Sequence, residues 1–177
     1  YTLGVSSGAS LGAGLVIITG ITIPVIGSFT LPFVGFIFGL FTVYLVILFS
    51  SKIDKTMSNN TIILAGMVIS LFFSAALTTI SALASDKIQS ITMWSMGSFS
   101  MKGWSYVKAG IPFFIIGILG VSFYFKEMDV LTFGEDQAKT IGVDTNKVKR
   151  ILFLYVAILT GSAIALSGTI GFVDLIA

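Results

Sequence analysis

Leu31-Pro-Phe-Val-Gly-Phe-Ile-Phe-Gly-Leu-Phe-Thr-Val-Tyr-Leu-Val-Ile-Leu-Phe-Ser50 runs for 20 residues without a charged side chain. About 20 mostly apolar residues are needed for a helix to cross the hydrocarbon core of a bilayer. Pro32 falls in the first turn, where its missing N–H leaves no helical bond unmade. The stretch reads as a complete transmembrane helix.

The rest of the chain repeats that character. It is 55% hydrophobic and 10% charged, with a mean hydropathy of +1.04, whereas water-soluble domains carry about 25% charged residues. The expectation is an integral membrane protein, all-α, with spans from about Leu3 to Thr22, Leu31 to Ser50, Thr61 to Ala84, Tyr106 to Phe125 and Val148 to Ser167. A sixth begins near Ile170. A net charge of +2 without a basic run gives no support for nucleic acid as a partner. Cys and His are both absent, which removes thiolate metal sites, the commonest metal ligand and the commonest general base. No cofactor or metal is expected, and no phosphate-binding GxxxxGK[ST] loop occurs. Any nucleotide-driven motor therefore belongs to another chain.

The connections set the orientation. Ser51 to Asn60 and Lys126 to Lys147, with Lys149 and Arg150, hold seven basic residues, against three for Ser85 to Ser105 plus Lys108. The richer side is expected to be cytoplasmic, and the third loop, with Trp94 and Trp104, to lie outside at the membrane–water boundary. Gly4, Gly8 and Gly12 recur every four residues, and Gly66, Ser70, Ser74 and Thr78 do the same; Gly35 and Gly39 repeat the spacing briefly. Such ridges let helix backbones approach closely. They read as bundle packing, with a subunit interface or substrate path as the sharper alternative. Ionisable groups avoid the cores of the five complete spans, which disfavours proton-coupled carriers and pumps. Asp174 is the exception, read equally as a functional intramembrane carboxylate or as a residue at the outer boundary.

Lys126 to Arg150 holds five of the eight carboxylates and half of the ten basic residues. Within it, Gln137, Ala138 and Lys139 favour a helix, Gly142 can take the left-handed conformation that ends one, and Glu135, Asp136 and Lys139 complement its dipole. A short capped surface helix over Glu135 to Ile141 is expected, as a docking element or as a solvated connector.

Gly134-Glu-Asp-Gln-Ala-Lys-Thr-Ile-Gly-Val143 resembles the cytoplasmic coupling segment of FecCD-type permeases, the membrane subunits of ABC importers for iron-siderophores, haem and cobalamin. Leu3 to Gly12 resembles that family's Gly-rich third helix, and Leu64-Ala-Gly66 the start of its fifth. Met93-Trp-Ser-Met-Gly-Ser98 with Trp104 resembles the external segment that follows. Ser167 to Val173 with Leu175-Ile-Ala177 resembles the approach to the eighth, although Asp174 stands where the family usually has Gly. The resemblance implies the type II ABC importer permease fold, a polytopic helix bundle of about ten spans. Residues 1–177 would form part of one permease domain, the third to early eighth helices, with 126–147 as its cytoplasmic coupling loop. It implies a bacterial-type cytoplasmic membrane, two ATP-binding cassette subunits, a substrate-binding lipoprotein or periplasmic protein, and a second permease subunit. Coupling contacts carry over to Gly134, Glu135, Ala138 and Gly142, and pathway positions to Ser70, Ser74, Met93 and Met96. Gly4, Gly8, Gly12 and Gly66 are expected to serve helix packing. The permease itself is expected to be no enzyme. The rival reading is a secondary transporter or channel without an ATPase partner.

Overall fold

In lipid no solvent is available to satisfy a bare N–H or C=O, so apolar runs close their hydrogen bonds within each segment. The computed structural model describes residues 3–24, 26–100 and 102–169, and no strand occurs among the described residues. The described residues form eight α-helices in order: α1 (Val5–Thr19), α2 (Thr30–Ile53), α3 (Asn59–Leu83), α4 (Ile88–Met96), α5 (Trp104–Ser122), α6 (Phe125–Leu131), α7 (Glu135–Thr140) and α8 (Thr145–Ser167). Four of these segments, built on α2, α3, α5 and α8, are long and apolar enough to cross a membrane. Among the described residues the chain is an all-helical bundle with several helices of membrane-spanning length. The expected sixth span and Asp174 lie outside the described residues.

Three expectations need correction. The first span is shorter than Leu3 to Thr22: α1 has 15 residues, about 22 Å at ~1.5 Å per residue. It is bounded by left-handed glycines, Gly4 (φ 74°) before it and Gly20 (φ 66°) after it. Gly4 therefore caps α1 and still packs closely, since a Cβ there would lie 2.5 Å from Ser70 Oγ and 3.3 Å from Thr42. The third and fourth connections, read as loops, contain the helices α4 and α6. Trp94 is half-buried and packs on the core, whereas Trp104 is exposed.

That core is formed where α1, α2 and α8 meet, through Val5, Ala9, Val43, Ala157 and Ile164. The close approach of α1 to α2 depends on absent side chains. A Cβ on Gly8 would lie 1.8 Å from Thr42 Oγ1 and 2.9 Å from the Phe38 carbonyl oxygen, and one on Gly12 would lie 2.7 Å from the Phe38 side chain. Gly35 and Gly39 of α2 face Ala9 and Val5 in return. Gly66 on α3 is buried, and its carbonyl accepts from Ser70 Oγ at 2.7 Å. A second seam, unread in the sequence, joins α5 to α8. There Gly110, Gly117 and Gly120 are buried, against Leu166, Leu159 and Tyr155.

Candidate functional site

The charged connections converge at one end of the bundle. Asn146 Nδ2 donates to the Lys55 carbonyl at 3.0 Å, and Lys149 Nζ donates to the Met57 carbonyl at 3.0 Å. The α2–α3 turn and the segment from α7 to the start of α8 thus form one surface. The sequence required these loops to share a side; the structure brings them into direct contact.

The turn is organised by Asp54. Its carboxylate accepts from Thr56 N at 2.8 Å, Thr56 Oγ1 at 2.6 Å and Ser58 N at 3.0 Å. The Thr56 hydroxyl, followed by the amides and hydroxyl around it, holds this exposed carboxyl well below the usual carboxylate range. Ser58 then caps α3, its hydroxyl accepting from Thr61 N. Between these two residues sits Met57, fully buried and with a positive φ of 49°. Such a backbone costs a non-glycine residue roughly 1 kcal/mol or more and persists only where its surroundings fix it. Here the fixing partners are Lys149, on the Met57 carbonyl, and Arg150, whose Nε lies 3.3 Å from Met57 Sδ.

The expected capped helix is present as α7. Gly142 has a φ of 92°; its N–H donates to the Lys139 carbonyl at 3.0 Å, and Val143 N–H donates to the Ala138 carbonyl at 3.0 Å. This pair of bonds is the Schellman closure, which places a left-handed residue at the position Gly142 holds. Asp144 then caps α8 by accepting from Lys147 N at 3.1 Å.

The four residues assigned to coupling separate into two kinds. Gly134 and Gly142 are exposed at the ends of α7. Ala138 is fully buried, and the Glu135 carboxylate turns inward to an ion pair with Lys149, whose side chain is 9% exposed. Glu135 and Ala138 therefore seat the helix. The large apolar side chains left outside are Phe133 and Ile141, each 71% exposed. Sequence reasoning missed Lys149, Met57, Phe133 and Ile141. Only the two exposed apolar residues within a polar loop carried a signal.

The residues assigned to a pathway do not meet in one place. Ser70 packs beside Gly4, while Ser74, Met93 and Met96 are exposed. A cavity of about 280 Å³ between α2, α5 and α8 is lined by others, including Phe29, Phe36, Phe113 and Leu166, with Ser162 as a polar member. The Ser162 hydroxyl is already bonded to the Leu159 carbonyl, so this cavity offers little that would orient a polar ligand. Among the described residues no group of three or more acidic residues is placed to hold a metal ion.

The model of the FecCD transport family matches residues 1–177. The chain belongs to the FecCD family. Its FecCD relatives include an uncharacterized ABC transporter permease protein, YvrB, of Bacillus subtilis, 44% identical over 99% of this chain and 50% of the relative. The cobalamin import system permease protein BtuC of Halobacterium salinarum is 33% identical over 98% of this chain and 46% of its own length. The hemin transport system permease protein HmuU of Yersinia pestis is 30% identical over 98% and 52%. A solved metal-chelate type ABC transporter, in an inward-facing conformation, superposes with a TM-score of 0.84 at 30% identity, over 99% of this chain and 55% of that one. The chain spans about half the length of the curated relatives it matches. These named relatives are transport permeases, and the helical bundle described above is the fold of this FecCD chain.

Proposed function

We propose that the chain forms part of the membrane-spanning subunit of an ABC importer that carries a metal chelate across the cytoplasmic membrane. The observation that carries this reading is a family match over the whole chain, joined to a capped helix that presents Phe133 and Ile141 at the charged end. In this reading the charged end is cytoplasmic. Each permease subunit receives an ATP-binding cassette subunit at α7, a second permease subunit completes the path, and a binding lipoprotein or periplasmic protein delivers cargo from outside. Closure of the ATPase pair pushes α7, and the spans rock from outward to inward access. The permease contributes shape and packing, and ATP is hydrolysed on the partner.

Ferric siderophore is the proposed cargo, with haem and cobalamin next. Relatives named for cobalamin, hemin, iron(3+)-hydroxamate and molybdate import fit metal-containing anions or chelates as a class. Ser74, Met93 and Met96, all exposed, are the proposed pathway positions. Ser70, tied to the Gly66 carbonyl, is the weaker member.

The test is co-purification of an ATPase with the full-length permease. Phe133→Asp together with Ile141→Asp should release it while membrane insertion is unchanged. An undiminished pull-down by that double variant would refute the docking surface. In a full-length permease made free of other cysteines, Gln137→Cys adds a clean reporter of sidedness, and the 177 residues need no change for this. It should react with an impermeant thiol reagent only from the cytosol.

A further inference from the structure

Lys149 is a charged residue at a place where a charge is expensive. Its side chain is 9% exposed, and a buried ammonium is tolerated only when its donors are well partnered. Two partners are present, and they belong to different parts of the chain. One is the Glu135 carboxylate in the first turn of α7; the other is the Met57 carbonyl in the α2–α3 turn, at 3.0 Å.

Without that link, α7 would be poorly fastened. It has six residues and buries only Ala138. Both of its ends carry a glycine with positive φ, Gly134 at 108° and Gly142 at 92°. Glycine meets little steric resistance to a change of backbone angle, and at these ends only local hydrogen bonds oppose one, so a push on α7 would be partly absorbed there. Lys149 bypasses both. It ties the front of α7 to α8, on which it stands, and to a turn whose own conformation is fixed by Asp54, Arg150 and the strained Met57 backbone. Asn146 reinforces the same junction through the Lys55 carbonyl at 3.0 Å.

We propose that Lys149 is a positioning residue that locks α7 to the α2–α3 turn, so that displacement of α7 moves α2, α3 and α8 together. The proposal rests on α7 being the surface that receives the ATPase. In it, Glu135 acts within its own chain and leaves partner recognition to the outward residues of α7 and its flanks. Lys149→Met is the cleanest break. It removes the ammonium in a side chain of similar length, and the freed Glu135 carboxylate, 29% exposed, can turn to water.

The test uses the full-length permease with its ATPase in lipid nanodiscs, with spin labels at Lys55→Cys and Gln137→Cys. The distance between them is measured without nucleotide and with ATP plus vanadate. In the parent it should be narrow and identical in the two states, because the turn and α7 travel as one body. In Lys149→Met the ATPase should still co-purify, but the distribution should broaden and shift with ATP plus vanadate. Stimulation of ATP hydrolysis by the binding protein should fall on the order of ten-fold. Lys149→Arg, which keeps donors for both partners, should restore the narrow distribution. A parent distance that changes between states, or a Lys149→Met distribution identical to the parent's, would overturn the proposal. Should Lys149→Met fail to insert, Glu135→Ala opens the other half of the link and must broaden the distribution in the same way. Absence of any ATPase on the parent permease would instead overturn the docking reading, and the two failures are thereby distinct.

Discussion

At the α1–α2 seam Gly8 sits so close to Thr42 and Phe38 that a methyl group has no room, whereas at the charged end Lys149 spans a gap to hold Glu135 and the Met57 carbonyl. The first region is joined by removing side chains and the second by reaching across with one. Lipid explains the division. Between spans there is little hydrophobic gain from association, so close packing of small residues supplies the attraction. Outside the bilayer, helices as short as α7 cannot hold themselves and need directed bonds. The two regions should therefore respond to different substitutions.

The largest effect is expected at the seam. Gly8→Ala puts a Cβ against both the Thr42 side chain and the Phe38 backbone; the backbone cannot step aside, and overpacking of this kind costs about 3 kcal/mol. The full-length permease in detergent should show a marked drop in thermal stability or fail to accumulate. Survival of Gly8→Ala with unchanged melting would mean that α1 and α2 do not depend on this contact.

Gly142→Val should come next and act at the other region. A φ of 92° suits glycine and opposes a β-branched residue by about 2 kcal/mol. Because α7 is small, the loss should appear as faster hydrogen exchange in residues 135–143 with little change in the melting of the whole. Uniform destabilisation would blur the distinction between the regions.

Gly117→Ala sharpens the comparison within the seams. Its Cβ would meet Leu159 Cγ at 2.4 Å, a closeness similar to that at Gly12. The obstacle here is the half-buried Leu159 side chain, which can change rotamer, so about 1 kcal/mol is expected. A cost as large as that of Gly8→Ala would show the α5–α8 seam to be as rigid as the first.

The spans and the Gly142 cap were legible because their causes are local. A run of 20 uncharged residues or a glycine after a helical segment decides its own structure. The α5 seam escaped because Gly110, Gly117 and Gly120 are spaced by seven and three rather than by four. The α6 residues from Lys126 to Leu131 were read as loop because their charges mask a helical stretch free of Gly and Pro. The joint at Lys149 was invisible for a deeper reason. Its partners lie 14 and 92 residues away in the chain, and nothing near Met57 announces a carbonyl in need of a donor. The same distance effect hid the ion pair that Glu135 makes with Lys149.

Asp54 gives the smallest predicted effect and tests whether the charged end is as well fastened as the geometry requires. Its carboxyl is held below the ordinary range by the Thr56 hydroxyl and the Thr56 and Ser58 amides. Bonds to the ionised form lower the folded-state value relative to the unfolded chain, where a free aspartate titrates near ~3.9. Whatever stability these bonds contribute is then fully present above that value and is lost only as pH falls through the lower folded one. On acidification from neutral to about pH 3, past the ordinary aspartate midpoint, the Asp54 carboxyl carbon in a labelled permease should show no titration step. A midpoint at the ordinary aspartate value would mean that the turn is open in solution. The seat of Met57, and with it the partner that Lys149 reaches for, would then be lost as well.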